Sequence, residues 1–557
     1  MTQLKRWLWT LGLWRPVDSS NLALFRIVFG ATMVWEVGRY VHFDRITRYY
    51  VRPDYTFGYQ GFEWVVPFPT PWIYLFYGLT ALVSVLVTVG LFYRVASVLA
   101  CLSYSYWFLL DNTYYLNHFY LVVLISFLMM FVPLARTWSL DAWLARWRAT
   151  RRAQHRQAGQ VIEGVHATNE TTSTTTPVTT PWWVLLLMRF QLGVPYFYGG
   201  LAKFTADWLQ GDPMRDRLAR RTDFPLVGQF FDADWMVMLY SYGGLLLDLL
   251  AVPLLLWKRT RLVTYIALYV FHLSNATMFG IGIFPWVMIA ATLIFYPPDL
   301  PKQLIQRFRD APLAFELPAL MLGAFLGWLS IESLEAFSLV PVAVSILAGV
   351  VIAWSLDQAL REFFAKVLSK KLEHPPATST TSVKVVPATT PTKPPAWRAG
   401  VVITSLTVWV LSQCLIPLRH YTYPSNVNWS EHGHRFSWRM MLRDKDGELV
   451  FNLSDSRGRE LTLDRSFILE NDLLTRRQFD EMSTRPYMIH QYAHELADMF
   501  ERSGYENVSI YALTNISLNG RPSQWLIDPT IDLADQPQRF NVPVAVYPLE
   551  PQLQAER

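Results

Sequence analysis

The chain has 557 residues, 52% of them hydrophobic and 15% aromatic, with only 17% charged and a formal net charge of +5. A soluble domain carries about 25% charged residues, and here the apolar excess falls in long blocks, which excludes a simple soluble globule and indicates a polytopic membrane protein. The basic residues sit in short loops, so nucleic acid is not implied as a partner; the two cysteines, Cys101 and Cys414, lie inside apolar runs and suggest packing, neither a disulfide framework nor a metal site.

Met1 to Arg15 reads as a short, basic, tryptophan-rich amphipath with no cleavable signal, so the first span can serve as its own insertion signal. At about 20 residues per crossing, eleven blocks are long enough to be candidate spans. They are 21–38, 72–92, 95–110, 117–135, 182–200, 237–257, 262–280, 282–297, 312–330, 336–355 and 400–418, with the pair around Gly280–Gly282 readable as one broken element. Loop charge sets the orientation. Lys5, Arg6 and Arg15 precede the first span, Arg136 to Arg156 follow the fourth, Lys258 to Arg261 follow the sixth, and Arg361 to Lys371 follow the tenth. All of these share one side if the amino terminus is cytoplasmic, which turns the carboxy-terminal region outward, although Arg39, Arg45, Arg48 and Arg52 run against the trend. The expected organisation is a transmembrane bundle over 14–310 with a Thr/Pro-rich loop at 155–181, further helices over 311–418 with a second such loop at 375–395, and an outer domain over 420–550.

From His420 onward the composition becomes that of a soluble domain. FSWRMMLRD, the turn KDGE and LVFNLSD read as a hairpin; Ile489–Ser503 reads as an amphipathic helix; NVSIYALTNISL, NGRP and SQWLIDP read as a second hairpin. The expected fold class is a mainly α polytopic membrane bundle of about nine to eleven transmembrane helices with a C-terminal β-rich extracytoplasmic domain.

The stretch with most chemical content is Tyr196–Gly211, YFYGGLAKFTADWLQG, which closes an apolar run and carries Lys203. A lysine at membrane depth costs about 2.5–3.5 kcal/mol on insertion scales and needs a partner, a water route or a task. Burial disfavours a charged amine, and a neutral lysine amine is a usable general base. The plainer readings are that Lys203 snorkels to the headgroups or pairs with Asp207. Other polar residues at depth are Arg26, Asn117, His118, Arg189, Asp248, His272 and Asn275. Singly, each is expected to be structural, with Arg26 and Arg189 candidates to pair with Asp248. Lys203, His118 and His272 fall at the outer ends of three spans, where they could line one pocket walled by Tyr196, Phe197, Phe284 and Trp286 and suited to a quinone. His432–Gly433–His434 reads as a solvated loop before a metal pair, and no soluble-enzyme motif competes.

Together these residues resemble the vitamin K-dependent gamma-carboxylases within the HTTM superfamily. The resemblance runs through LALFRIVFG (22–30), FLLDNTYYLNHFYL (108–121), WSLDAW (138–143), GGLAKFTADWLQG (199–211), YGGLLLDL (242–249), FHLSNATMFGIGIF (271–284), FSWRMM (436–441) and WLIDPTIDL (525–533). It implies an enzyme, a lyase, that couples oxidation of vitamin K hydroquinone by O2 to the epoxide with removal of a glutamate γ-proton and addition of CO2, without a metal. Lys203 falls on the family's catalytic lysine, and Asn117 and His118 on its Asn-His pair beside the vitamin ring, with His118 also catalytic. His272, Phe284, Met440 and Met441 fall on positions lining that pocket. The implied partners are membrane lipid, a quinone-type molecule and an extracytoplasmic protein bearing glutamates. Departures are Ala202 where animal members have a second lysine, Arg443 where they have a histidine, no counterpart of their disulfide and no traceable propeptide-binding surface. These favour a bacterial inner-membrane protein and keep two alternatives open: a quinol epoxidase of the same fold without carboxylation, and a non-enzymatic lipid or quinone carrier.

Overall fold

A computed structural model describes residues 12–162, 178–224, 227–279, 281–310, 339–371, 394–538 and 546–550, with short pieces at 317–318, 321–323 and 325. The expected span at 312–330 and most of both Thr/Pro-rich loops lie outside the described residues.

The bundle is built from α1 (Ser20–His42), α2 (Trp72–Val89), α3 (Tyr93–Leu109), α4 (Asn117–Phe131), α5 (Leu140–Ile162), α6 (Trp182–Leu201), α7 (Ala206–Gln210), α8 (Asp212–Ala219), α9 (Asp234–Leu256), α10 (Arg261–Phe279), α11 (Phe284–Ala291), α12 (Leu300–Asp310), α13 (Leu339–Lys371) and α14 (Ala396–Leu415). Among the described residues six helices are long and apolar enough to cross a membrane, and Asn117–Phe131 and Phe284–Phe295 are shorter apolar helices. In a bilayer only internal hydrogen bonding satisfies the backbone, so apolar blocks of this length become helices. Lipid gives no hydrophobic drive between helices, so close backbone approach must hold them together. At the α6–α9 crossing this is literal: a Cβ on Gly200 would lie 2.8 Å from the backbone nitrogen of Leu249.

Two of the deep arginines do not pair with Asp248. Arg26 donates to the carbonyls of Val87 and Thr88 and to Trp138, each at 2.6 Å. Arg189 donates to Ile294 and Tyr296, both at 2.9 Å. The first group includes the end of α2 and the second the short 3-10 turn after α11, where carbonyls have spare acceptor capacity and the helix dipole is negative. A guanidinium satisfies such carbonyls without a carboxylate.

Two short strands, β1 (Pro16–Asp18) and β2 (Thr179–Pro181), pair antiparallel beside the bundle, and the carboxy-terminal domain is a separate antiparallel sheet ordered β4 (Glu460–Leu463), β3 (Lys445–Ser454), β5 (Ser509–Leu518), β6 (Gln524–Trp525). Leu449, Phe451 and Leu453 on β3 alternate inward with Ile510, Ala512 and Ile516 on β5, and a helix, α17 (Pro486–Arg502), buries Met488, Ile489, Tyr492 and Leu496 in the same core. The β5–β6 hairpin and the amphipathic helix stand where the sequence indicates. The first expected hairpin does not form: Lys-Asp-Gly-Glu is the start of β3 and pairs with β5, so FSWRMML runs as an irregular segment. Phe57, from the α1–α2 connection, is fully buried in this C-terminal core. Burying one such ring is worth about 2–3 kcal/mol and keys the domain to the bundle. α16 (Arg476–Met482) supplies Gln478, whose side chain donates to the Tyr55 carbonyl at 2.8 Å, while α15 (Arg465–Glu470) closes the far edge after β4.

Candidate active site

Lys203 follows the last turn of α6 and is buried, at 5% exposure. It neither reaches headgroup water nor pairs with Asp207. Its ammonium forms an ion pair with Asp248 of α9, donates to the Gly199 carbonyl at 3.2 Å, and lies 5.3 Å from the Trp208 ring centre. Gly199 makes the pairing geometrically available, because a Cβ there would stand 3.4 Å from the Asp248 carboxylate and 3.0 Å from the Met440 methyl. Asp207 is instead held by Arg521 through both carboxylate oxygens, at 2.6 and 2.8 Å, and by Asn519 at 2.8 Å.

The Lys203–Asp248 pair lines a cavity of about 580 Å³ between the bundle and the carboxy-terminal domain. Asn117, His118, Tyr196, His272, Phe284, Met440 and Met441 line the same cavity. Sequence places these residues on four helices and an irregular loop, and the fold gathers all of them. Two of the expected walls do not take part: Trp286 is buried in the bundle core, and Phe197 is 48% exposed on the bundle's outside. His118 and Phe284 stack at 5.6 Å between centres, and His272 meets Phe284 edge-on at 5.7 Å. The His272 Nε2 and the Tyr196 hydroxyl are 2.8 Å apart, leaving His272 Nδ1 buried without a hydrogen-bond partner among the described residues. Asn117 serves the framework: its oxygen accepts from the Tyr115 hydroxyl at 2.9 Å and its amide donates to the Arg439 carbonyl at 3.3 Å.

The FSWRMM segment reaches the cavity along an unusual path. Phe436, Trp438 and Met441 all have positive φ, at 62°, 56° and 63°. Side-chain-bearing residues adopt that conformation at a cost, and surroundings must hold them there. Arg217 of α8 does part of this, donating to the Met441 and Arg443 carbonyls at 3.0 and 2.8 Å. Thus the helical hairpin that follows Lys203 grips the loop carrying Met440 and Met441.

Sequence reading missed the cavity's third wall. Arg217, Arg435, Arg439, Arg443, Arg477 and Arg485 line it. Carboxylates nearby are Glu431, paired with Arg443, and Glu481, paired with Arg485. Arg435 and Arg477 face tyrosine rings, at 5.5 Å to Tyr115 and 4.8 Å to Tyr114, and Arg439 donates to the Asn428 amide oxygen at 3.2 Å. Burial, with Arg485 and Arg217 nearby, pushes the Arg443 guanidinium down to about 9. The buried ammonium of Lys445, whose pKa lies well below that of an ordinary lysine, is lowered by burial and then by Arg443 and Arg485. Such a surplus of desolvated positive charge favours an anion. His434, expected in a solvated loop, is buried and lines this wall. Arg435, Arg439 and Arg443 recur every four residues in one segment, but that segment is irregular and not helical, and Arg217, Arg477 and Arg485 join them from elsewhere in the chain, so no motif announces the wall; among the described residues no three His, Cys, Asp or Glu side chains converge as a metal site.

Two family models match. The HTTM domain matches residues 14–156 and 165–300, and the vitamin K-dependent gamma-carboxylase lumenal domain matches residues 398–551. No solved structure matches the chain.

Proposed function

Since this chain belongs to the vitamin K-dependent gamma-carboxylase family, we propose that it is a multi-pass membrane carboxylase acting on glutamate side chains of an extracytoplasmic protein, with Lys203 as the base toward reduced vitamin K. The observation that carries the reading is the meeting, in one cavity, of a buried lysine–aspartate pair, an aromatic–imidazole platform and an arginine wall.

The cavity residues fit the quinol. The His118–Phe284 stack offers a flat surface, and the unpartnered His272 Nδ1 is a polar atom a ring hydroxyl or carbonyl would satisfy. When bound and oxidised by O2 to its epoxide, reduced vitamin K supplies the strong base needed to remove a glutamate γ-proton, after which CO2 adds to carbon. The chain's own residues then have separable tasks. Once the Lys203 ammonium has passed its proton to the paired Asp248 carboxylate, the neutral Nζ takes the hydroquinone's hydroxyl proton, leaving the lysine ammonium beside a protonated aspartic acid and the quinol anion. Burial of the pair excludes water that would quench a strong base. The arginine-lined wall, with more guanidiniums than the carboxylates of Glu431 and Glu481 pair, holds the substrate carboxylate. The loop-charge pattern favours an outward-facing carboxy-terminal domain, which gives a glutamate-bearing protein access to that wall.

Purified protein supplied with reduced vitamin K, labelled CO2 and a glutamyl peptide is expected to yield epoxide and labelled peptide together. Absence of both would reject the proposal. Epoxide without labelled product would favour the quinol epoxidase, and the arginine wall is the observation that speaks for carboxylation over it.

A further inference from the structure

Beyond the residues that line the cavity, α17 carries His490 and His494, one turn apart on the same helix face. His490 is buried and His494 half-buried. Their Nε2 atoms are 3.2 Å apart, and the Gln536 carbonyl oxygen lies 3.1 Å from the first and 2.8 Å from the second. Three donor atoms thus form a nearly equilateral triangle of two imidazole nitrogens and one oxygen.

From this geometry we propose that His490, His494 and the Gln536 carbonyl form a structural site for a divalent transition metal of the zinc class, open to water at its fourth position. Zinc binds imidazole nitrogen and oxygen at about 2.0–2.2 Å in tetrahedral geometry, which separates adjacent ligands by roughly 3.3 Å. The observed edges are close to that spacing, so an ion capping the triangle needs only small side-chain adjustments. Hydrogen bonding alone serves the group less well. If both rings donate to the carbonyl, two N–H donors stand side by side; if one donates to the other, the acceptor's lone pair faces the carbonyl oxygen; a metal instead uses all three lone pairs. Imidazole ligands suit zinc, copper and nickel over magnesium or calcium. With no third acidic, histidine or cysteine side chain converging among the described residues, binding is expected to be weaker than in a four-side-chain site. The ion would staple the helix to the segment just after Leu533, whose amide donates to Ile510 of β5 at 2.8 Å.

The test uses full-length protein in detergent, purified without a polyhistidine tag, stripped with chelator and equilibrated with zinc or cobalt alone. One zinc per chain should survive desalting, and cobalt should produce the visible absorption of a tetrahedral site. His494→Gln, at the more exposed position, should abolish both while keeping the wild-type circular dichroism. A His432→Gln control should retain both. The proposal is overturned if the wild type holds no more zinc than His494→Gln, or if cobalt gives only an octahedral spectrum.

Discussion

Lys203 and Asp248 offer the sharpest test, because a structural salt bridge and a catalytic base predict different double variants. Both side chains are about 6% exposed. Lys203→Ala would leave the aspartate buried without its partner, and losing one member of such a pair costs about 3–5 kcal/mol. Replacing both with apolar residues of similar volume, Lys203→Met with Asp248→Leu, removes the uncompensated charge and is expected to be near neutral or stabilising by about 1–4 kcal/mol. Thermal unfolding in micelles should therefore rank the double variant above either single one. Epoxide formation should behave otherwise. Losing a general base costs about 10²–10⁴ in rate, or roughly 2.7–5.5 kcal/mol of barrier, and restored stability does not return it. A stable double variant that forms epoxide at the wild-type rate would show that the amine is scaffold, and the base assignment would be wrong.

Three further outcomes follow from the cavity and its borders. Arg443→Leu should raise KM for a glutamyl peptide by about 10-fold or more, equivalent to roughly 1.4 kcal/mol or more, while leaving peptide-independent epoxide formation little changed; equal loss of both would refute a carboxylate-binding role. Asp111, fully buried beside Gln478, is raised to about 6 by burial. The folded state therefore keeps a proton the unfolded chain has lost, so stability should fall by roughly 3 kcal/mol or less as pH rises from 4 to 6, and Asp111→Asn should flatten that slope in pH-dependent unfolding. Finally, Asp207→Ala should cost about 3–5 kcal/mol by leaving the Arg521 guanidinium unpaired, and the exchange Asp207→Arg with Arg521→Asp should recover part of it in thermal melts; no loss in the single variant would show the pair to be idle.

How much was readable in advance follows the range of each interaction. The membrane-length helices among the described residues stand on expected apolar blocks, and α17 and the β5–β6 hairpin stand where 3.6-residue and two-residue periodicities indicate them, because local backbone satisfaction is written in local pattern; the basic helix α5 and the short α7 and α8 lie in segments that pattern reads as loops. Lys203 also stood out unaided, since a cation in an apolar run is anomalous wherever the run ends up. Its partner did not. Asp248 lies 45 residues away, and composition alone offers it Arg26 or Arg189, whereas those arginines bond carbonyls at helix ends and turns and Gly199–Gly200 bring α6 against α9. The path of FSWRMM was likewise decided from outside, by Arg217 and by β3 taking β5 as its neighbour in place of the residues preceding it. Periodicity specifies which face a residue occupies on its own element. Which faces meet depends on how closely two backbones can approach and on which buried charge is left over, and only the assembled tertiary structure decides that.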